Sequence, residues 1–147
     1  IEEELGFHGG EASTLHQIGT IYLDTSRCDE ALDFYNQSLA IKRERGDRDG
    51  EASTLHQIGM VHQKLNRYDE ALDFYRQSLV TTRELGNREG EASALHQIGC
   101  TYKAIHRYGE ALESLNQGLA IERELGDRSG EAATLLHIGT VSLLTCN

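Results

Sequence analysis

The chain has 147 residues, of which 38% are apolar and 26% charged, the composition of a folded protein rather than a disordered one. Its net charge of −10 excludes the basic footprint that nucleic acid or an anionic membrane surface demands. No window reaches the roughly 18 apolar residues of a membrane span, and the opening Ile1-Glu2-Glu3-Glu4 is unlike a signal peptide.

Residues 1–7 open with Ile1-Glu2-Glu3-Glu4-Leu5-Gly6, which aligns with Ile121-Glu122-Arg123-Glu124-Leu125-Gly126. They are predicted to be the end of a preceding unit's second helix. From Glu11 runs Glu-Ala-Ser-Thr-Leu-His-Gln-Ile-Gly. The stretch returns unchanged from Glu51, with one substitution (Ala94) from Glu91, and more loosely from Glu131. The starts at 11, 51, 91 and 131 set a period of 40, and a fixed period of that size signals stacked supersecondary units. Residues 11–50 and 51–90 agree at 25 of 40 positions, and 51–90 and 91–130 at 21, so the units are duplicates. The expected partition is 1–7, then units 8–47, 48–87 and 88–127, then the first helix of a fourth at 128–147.

Each unit reads as two helices. Ala52, Leu55, Ile58, Gly59, His62 and Leu65 follow the rhythm of one helical face, as do Ala71, Leu72, Tyr75, Ser78 and Leu79. First helices are predicted near 8–24, 48–64, 88–104 and 128–144, and second helices near 28–45, 68–85 and 108–125. Asn66 suits the left-handed residue that closes a helix, and its equivalents Ser26 and His106 suit it less well. Runs such as Gly46-Asp47-Arg48-Asp49-Gly50 place glycine after one helix and an Asp or Asn cap before the next. Proline is absent, in keeping with uninterrupted helices.

The pattern Leu55-x-x-Ile58-Gly59-x-x-His62, followed by Tyr68-x-Glu70-Ala71-Leu72-x-x-x-Tyr75-x-x-Ser78-Leu79, resembles the tetratricopeptide repeat. So do Leu15, Ile18, Gly19, Tyr22, Ala31, Tyr35 and Ser38, and Leu95, Ile98, Gly99, Tyr102, Ala111, Leu115 and Gly118. The common form has about 34 residues and a proline after the second helix. The longer unit here is similar to the subclass seen in kinesin light chain, spindle-orientation adaptors and large bacterial signalling proteins. The resemblance implies an all-α, right-handed solenoid of antiparallel helix pairs. It also implies that the glycine admits close approach of the paired helices, that Ala31, Ala71 and Ala111 seat the first helix, and that Tyr35 and Tyr75 fill the gap to the next unit.

The family's ligand surface is the concave wall of first helices, and the motif register carries it here onto particular residues. They are Ser13, His16 and Thr20 in the first unit, Ser53, His56, Met60 and Gln63 in the second, and Ser93, His96, Cys100 and Lys103 in the third. Leu23, Ala133, Leu136, Thr140 and Leu143 complete the register. His16, His56 and His96 form a ladder whose equivalent atoms should stand about 10 Å or more apart. One zinc cannot bridge that spacing, so no metal, and no other cofactor, is expected. Cys28, Cys100 and Cys146 are too scattered for a disulfide framework or a zinc spacing, and are expected to be reduced thiols of a cytoplasmic protein. No nucleophile–base set or phosphate-binding loop is present, so no enzyme is expected. The Asp-Arg-x-Gly-Glu runs are expected to cap helices and pair neighbouring units.

The function expected is therefore a non-catalytic scaffold, part of a larger protein, that binds a peptide or protein segment in its groove, with neither nucleic acid nor membrane as partner. The alternative is a spacer or self-association segment of a multidomain regulator. It draws on the apolar Leu135, Ile138, Val141, Leu143 and Leu144 of the last helix, which a second copy could cover to give a homo-oligomer through the array ends.

Overall fold

A computed structural model describes residues 2–146, with side chains from Gly10 onward. The described residues form seven helices, in keeping with the helical-repeat solenoid class. These are α1 (Glu2–Asp24), α2 (Cys28–Arg45), α3 (Arg48–Lys64), α4 (Tyr68–Leu85), α5 (Arg88–Ala104), α6 (Tyr108–Leu125) and α7 (Arg128–Thr145). From α2 onward they begin and end within a residue of where the sequence places them.

The N-terminus differs: α1 continues without a break from Glu2 through the junction expected near residue 7. The cause is legible in the repeat register. Asp47, Asn87 and Asp127 each accept a hydrogen bond from the backbone N–H three residues on, at Gly50 (3.0 Å), Gly90 (2.9 Å) and Gly130 (2.9 Å). Position 7 of the register holds Phe7, which has no oxygen with which to begin a new helix.

Second helices end on Gly46, Gly86 and Gly126 at φ 68°, 69° and 69°. Beyond each glycine, the N–H of Asp47, Asn87 or Asp127 returns to the carbonyl of Lys42, Thr82 or Glu122 at 2.9 Å. First helices end on Ser26, Asn66 and His106, all left-handed at φ 62°, 59° and 62°. Ser26 and His106 thus adopt the conformation although their side chains favour it less than Asn66 does.

The chain divides into two compact units, one up to Gln77 and one from Ser78. In the first unit, Leu23, Ala31, Tyr35, Leu39, Leu55, Ile58 and Val61 form one buried cluster drawn from α1, α2 and α3. Tyr35 sits on the helix paired with its own: a Cβ added at Gly19 would lie 2.9 Å from its ring. Gly59 and Tyr75 repeat the contact at 2.7 Å. The tyrosine therefore fills the space its glycine leaves within the pair, as well as joining the cluster with α3. Ser38 donates to the Ala12 carbonyl at 2.7 Å, tying α2 to α1.

In the second unit, Leu95, Ile98, Tyr102, Ala111, Leu115, Leu119, Ile121 and Val141 are buried. Leu115 takes the tyrosine's place, with its Cγ 2.6 Å from a Cβ built on Gly99. At the helix junctions one glutamate gathers two arginines. Glu51 accepts from Arg43 (3.2 Å) and Arg48 (3.3 Å), and Glu91 from Arg83 (3.1 Å) and Arg88 (2.8 Å). The Asp-Arg-x-Gly-Glu runs thus serve as caps and inter-helix ties.

Candidate functional site

Within each unit the predicted face residues of the first helices differ in burial. Ser13, Ser53 and Ser93 are exposed, whereas His16, Thr20, His56, Met60, Gln63, His96, Cys100 and Lys103 are half-buried. One turn along the helix from each serine, the imidazole turns into contacts with its own unit.

In the first unit His16 Nδ1 lies 3.1 Å from Thr54 Oγ1 and 3.3 Å from Lys42 Nζ. Lys42 is itself buried and donates to Thr54 at 2.8 Å. Thr20 hydrogen-bonds the Tyr35 hydroxyl at 2.9 Å, and the Tyr75 hydroxyl donates to Gln63 at 2.6 Å. The His16 and Tyr35 rings meet edge-on at 5.3 Å, and the His56 and Tyr75 rings lie 5.4 Å apart. Burial, aided by the Lys42 charge, brings the His16 pKa down to about 4. Burial likewise lowers His56 and Lys42 and raises the Tyr35 phenol. The imidazoles and phenols are neutral, interlocked parts of the helix–helix contact, with Lys42 as a buried cation beside them.

The second unit repeats the geometry with different chemistry. His96 Nδ1 lies 3.2 Å from Thr134 Oγ1 on α7, the counterpart of the His16–Thr54 contact. At the register position of Lys42 stands Glu122, whose Oε1 accepts from Thr134 at 2.9 Å. Glu122 is buried, its Oε2 has no hydrogen-bond partner among the described residues, and burial raises its pKa. His137 on α7 meets the His96 ring edge-on at 5.0 Å, and its Nδ1 lies 3.0 Å from Lys103 Nζ. Donor atoms of His96, Cys100 and His137 all lie within 4.8 Å of one another. Burial lowers both histidines and raises the Cys100 thiol.

Three of the predicted face residues, His96, Cys100 and Lys103, are therefore brought together, and His137 joins them. A ladder of equivalent histidines leaves His137 out, because it stands at the position of Gln17, Gln57 and Gln97 rather than that of His16. The available signal was the spacing of His96 and Cys100, four residues apart on one helical face. Leu136, Leu143 and Leu144 on α7 are 71%, 78% and 50% exposed. No helix among the described residues is long and apolar enough to cross a membrane.

The profile of the tetratricopeptide repeat family matches residues 1–44, 10–80 and 50–124. No curated protein sequence matches the chain. Among solved structures, BtubC (BKLC) from P. vanneervenii superposes with a TM-score of 0.81 at 22% identity, over 88% of this chain and 54% of its own. A signal-transduction ATPase with a tetratricopeptide repeat sensor from Pyrococcus horikoshii gives 0.88 at 16% identity, over 99% of this chain and 23% of that one. The chain thus spans about half or less of those two. The first such domain of Spaghetti (RPAP3), bound to the HSP90 peptide SRMEEVD, gives 0.74 at 14% identity, over 94% of this chain and 95% of that one. At these identities the likeness is one of fold.

Proposed function

The chain belongs to the tetratricopeptide repeat family, and on that footing we propose that it is a non-catalytic scaffold whose first-helix face receives a segment of another protein. The observation that carries this reading is the recurring pair of serine and histidine. In each of three repeats an exposed serine stands about one helical turn before a half-buried imidazole packed within its own unit (Ser13 and His16, Ser53 and His56, Ser93 and His96). Repeated small donors give affinity by summing modest contacts. The related fold of Spaghetti holding a peptide supports the reading. Net charge −10 favours a segment poorer in acidic residues than SRMEEVD.

The test selects binders from a random-peptide library on the 147-residue chain and then measures them against Ser13→Arg/Ser53→Arg and Ser93→Arg. Because these serines are exposed, helix content should be unchanged. Selected peptides should lose at least about tenfold in affinity on one or both variants. Affinity untouched by both, or no selectable peptide, refutes groove binding.

A second reading, self-association, is favoured by the exposed leucines of α7. Concentration-dependent sedimentation abolished by Leu136→Lys/Leu143→Lys would support it, and a monomer at all concentrations would remove it.

A further inference from the structure

We propose that His96, Cys100 and His137 form a binding site for a borderline divalent cation, Zn2+ by the nature of its ligand set, joining α5 to α7 with a fourth position open to water. Two imidazoles and a thiolate are ligands zinc accepts, and three protein ligands with an open position is a common zinc arrangement. His96 and Cys100 lie one turn apart on α5, so the helix itself fixes their pairing. Their donor atoms and that of His137 lie within 4.8 Å of one another. Tetrahedral bonding requires roughly 3.3–3.8 Å between donors. The site therefore closes by about 1 Å through rotation of three half-buried side chains.

An independent observation comes from behind His96. Thr134 has one hydroxyl proton, and it goes to Glu122. The contact between His96 Nδ1 and Thr134 Oγ1 must then have the imidazole as donor. This tautomer leaves Nε2 with its lone pair free for a metal. A carboxylate that orients a ligating histidine through its other nitrogen is the usual outer support of zinc sites, here relayed through one hydroxyl. The charges also balance: the ion's two positive charges meet the Cys100 thiolate and the Glu122 carboxylate.

The repeat register shows that this chemistry is particular to one place. Cys100 stands where the other repeats have Thr20, Met60 and Thr140, and His137 where they have Gln17, Gln57 and Gln97. Glu122 stands where the second helices of the first two repeats have Lys42 and Thr82, and where the opening stretch has Glu2. Two departures from the duplicated pattern, Cys100 and His137, thus converge on one imidazole, with Glu122 behind it. On binding, the Cys100 thiol gives its proton to solvent. Lys103, half-buried and hydrogen-bonded to His137, swings its ammonium outward, and no change of oxidation state is involved.

Titrating Co2+ into the reduced 147-residue chain, with a non-thiol reductant present, tests the site. One equivalent should bind with thiolate-to-metal charge transfer in the near ultraviolet and ligand-field bands in the visible. Zn2+ should displace it and raise the Tm. Cys100→Thr and His137→Gln restore residues that other repeats carry at those positions, so both should keep the parent's circular dichroism. Each should lose at least about tenfold in affinity, and Cys100→Thr should also lose the charge-transfer band. Lys103→Met, which removes the competing cation, should tighten binding. Several results would overturn the proposal: no charge-transfer band in the parent, a band that survives Cys100→Thr, parent-like affinity in His137→Gln, or a band lost instead with Cys28→Ser or Cys146→Ser. So would weaker binding in Lys103→Met.

Discussion

Gly99 and Gly139 hold the same place in successive repeats, yet alanine should act on them in opposite directions. At Gly99 the new methyl would lie 2.6 Å from Leu115 Cγ, 2.8 Å from Leu115 Cδ2 and 3.3 Å from the Ala111 carbonyl oxygen. Leu115 is fully buried and has nowhere to retreat. Overpacking of this kind costs about 1–3 kcal/mol, against a helix-propensity gain of about 0.5–1 kcal/mol for removing a mid-helix glycine. The net expectation is a loss of about 0–2.5 kcal/mol, centred near 1. At Gly139 nothing lies within 4 Å of the added methyl, so only the gain of about 0.5–1 kcal/mol remains. Urea denaturation followed by circular dichroism reads both as shifts of midpoint at unchanged slope. In the background Leu115→Ala, which empties the contested space, the Gly99→Ala penalty should vanish, a coupling that a double-mutant cycle isolates. Gly99→Ala proving as stabilising as Gly139→Ala, or keeping its full cost without Leu115, would refute the close-approach account of this helix pair.

His16, held near pKa 4, makes stability depend on pH. The unfolded chain takes up that proton more readily than the folded one from about 6.5 down to 4. Stability is therefore full above 6.5 and falls as pH drops through that window. The whole shift is worth at most about 3 kcal/mol, and solvent screening of a half-buried ring leaves about 1–2 kcal/mol. His16→Gln should flatten the urea-midpoint profile between pH 7.5 and 4.5 by that amount, and an unchanged profile would refute it. Ser26→Gly should stabilise by about 1 kcal/mol, because it relieves a left-handed serine. His106→Gly should give less, since it forfeits the 2.7 Å contact of His106 Nδ1 with the Tyr108 hydroxyl. Thermal melts rank the two, and the reverse order would contradict the account. Asp127→Ala removes the cap on α7 and should cost about 1 kcal/mol by urea denaturation.

The helices were legible because the repeat supplies independent readings of each boundary. Asp47, Asn87 and Asp127 mark the same cap, and Gly46, Gly86 and Gly126 the same stop. At the expected junction near residue 7, α1 runs on unbroken from Glu2, and the register position of the caps there holds Phe7, a residue without an acceptor oxygen. Periodicity placed His16, His56 and His96 on one helical face, but it could not tell that their rings turn inward onto Thr54, Tyr75 and Thr134. Those contacts depend on the separation and tilt of neighbouring helices, which no spacing along one helix reports. His137 was missed for a related reason: a register compares equivalent positions, whereas packing brings non-equivalent ones together.

The two units place the same imidazole and threonine in opposite electrostatic settings. Around His16 the buried cation Lys42 donates to Thr54 and stands 3.3 Å from the ring nitrogen. Around His96 the buried carboxylate Glu122 accepts from Thr134. A cation beside the first ring raises the cost of any further positive charge there, whether a proton or a metal ion. A carboxylate behind the second lowers that cost and orients the ring to accept a metal ion at Nε2. Exchange of one residue, Lys42 for Glu122, reverses the sign while the helices keep their places. The fold constrains the small and apolar contacts, Gly19 on Tyr35 and Gly99 on Leu115. The partly buried polar position behind each histidine is where copies of one repeat can acquire different chemistry.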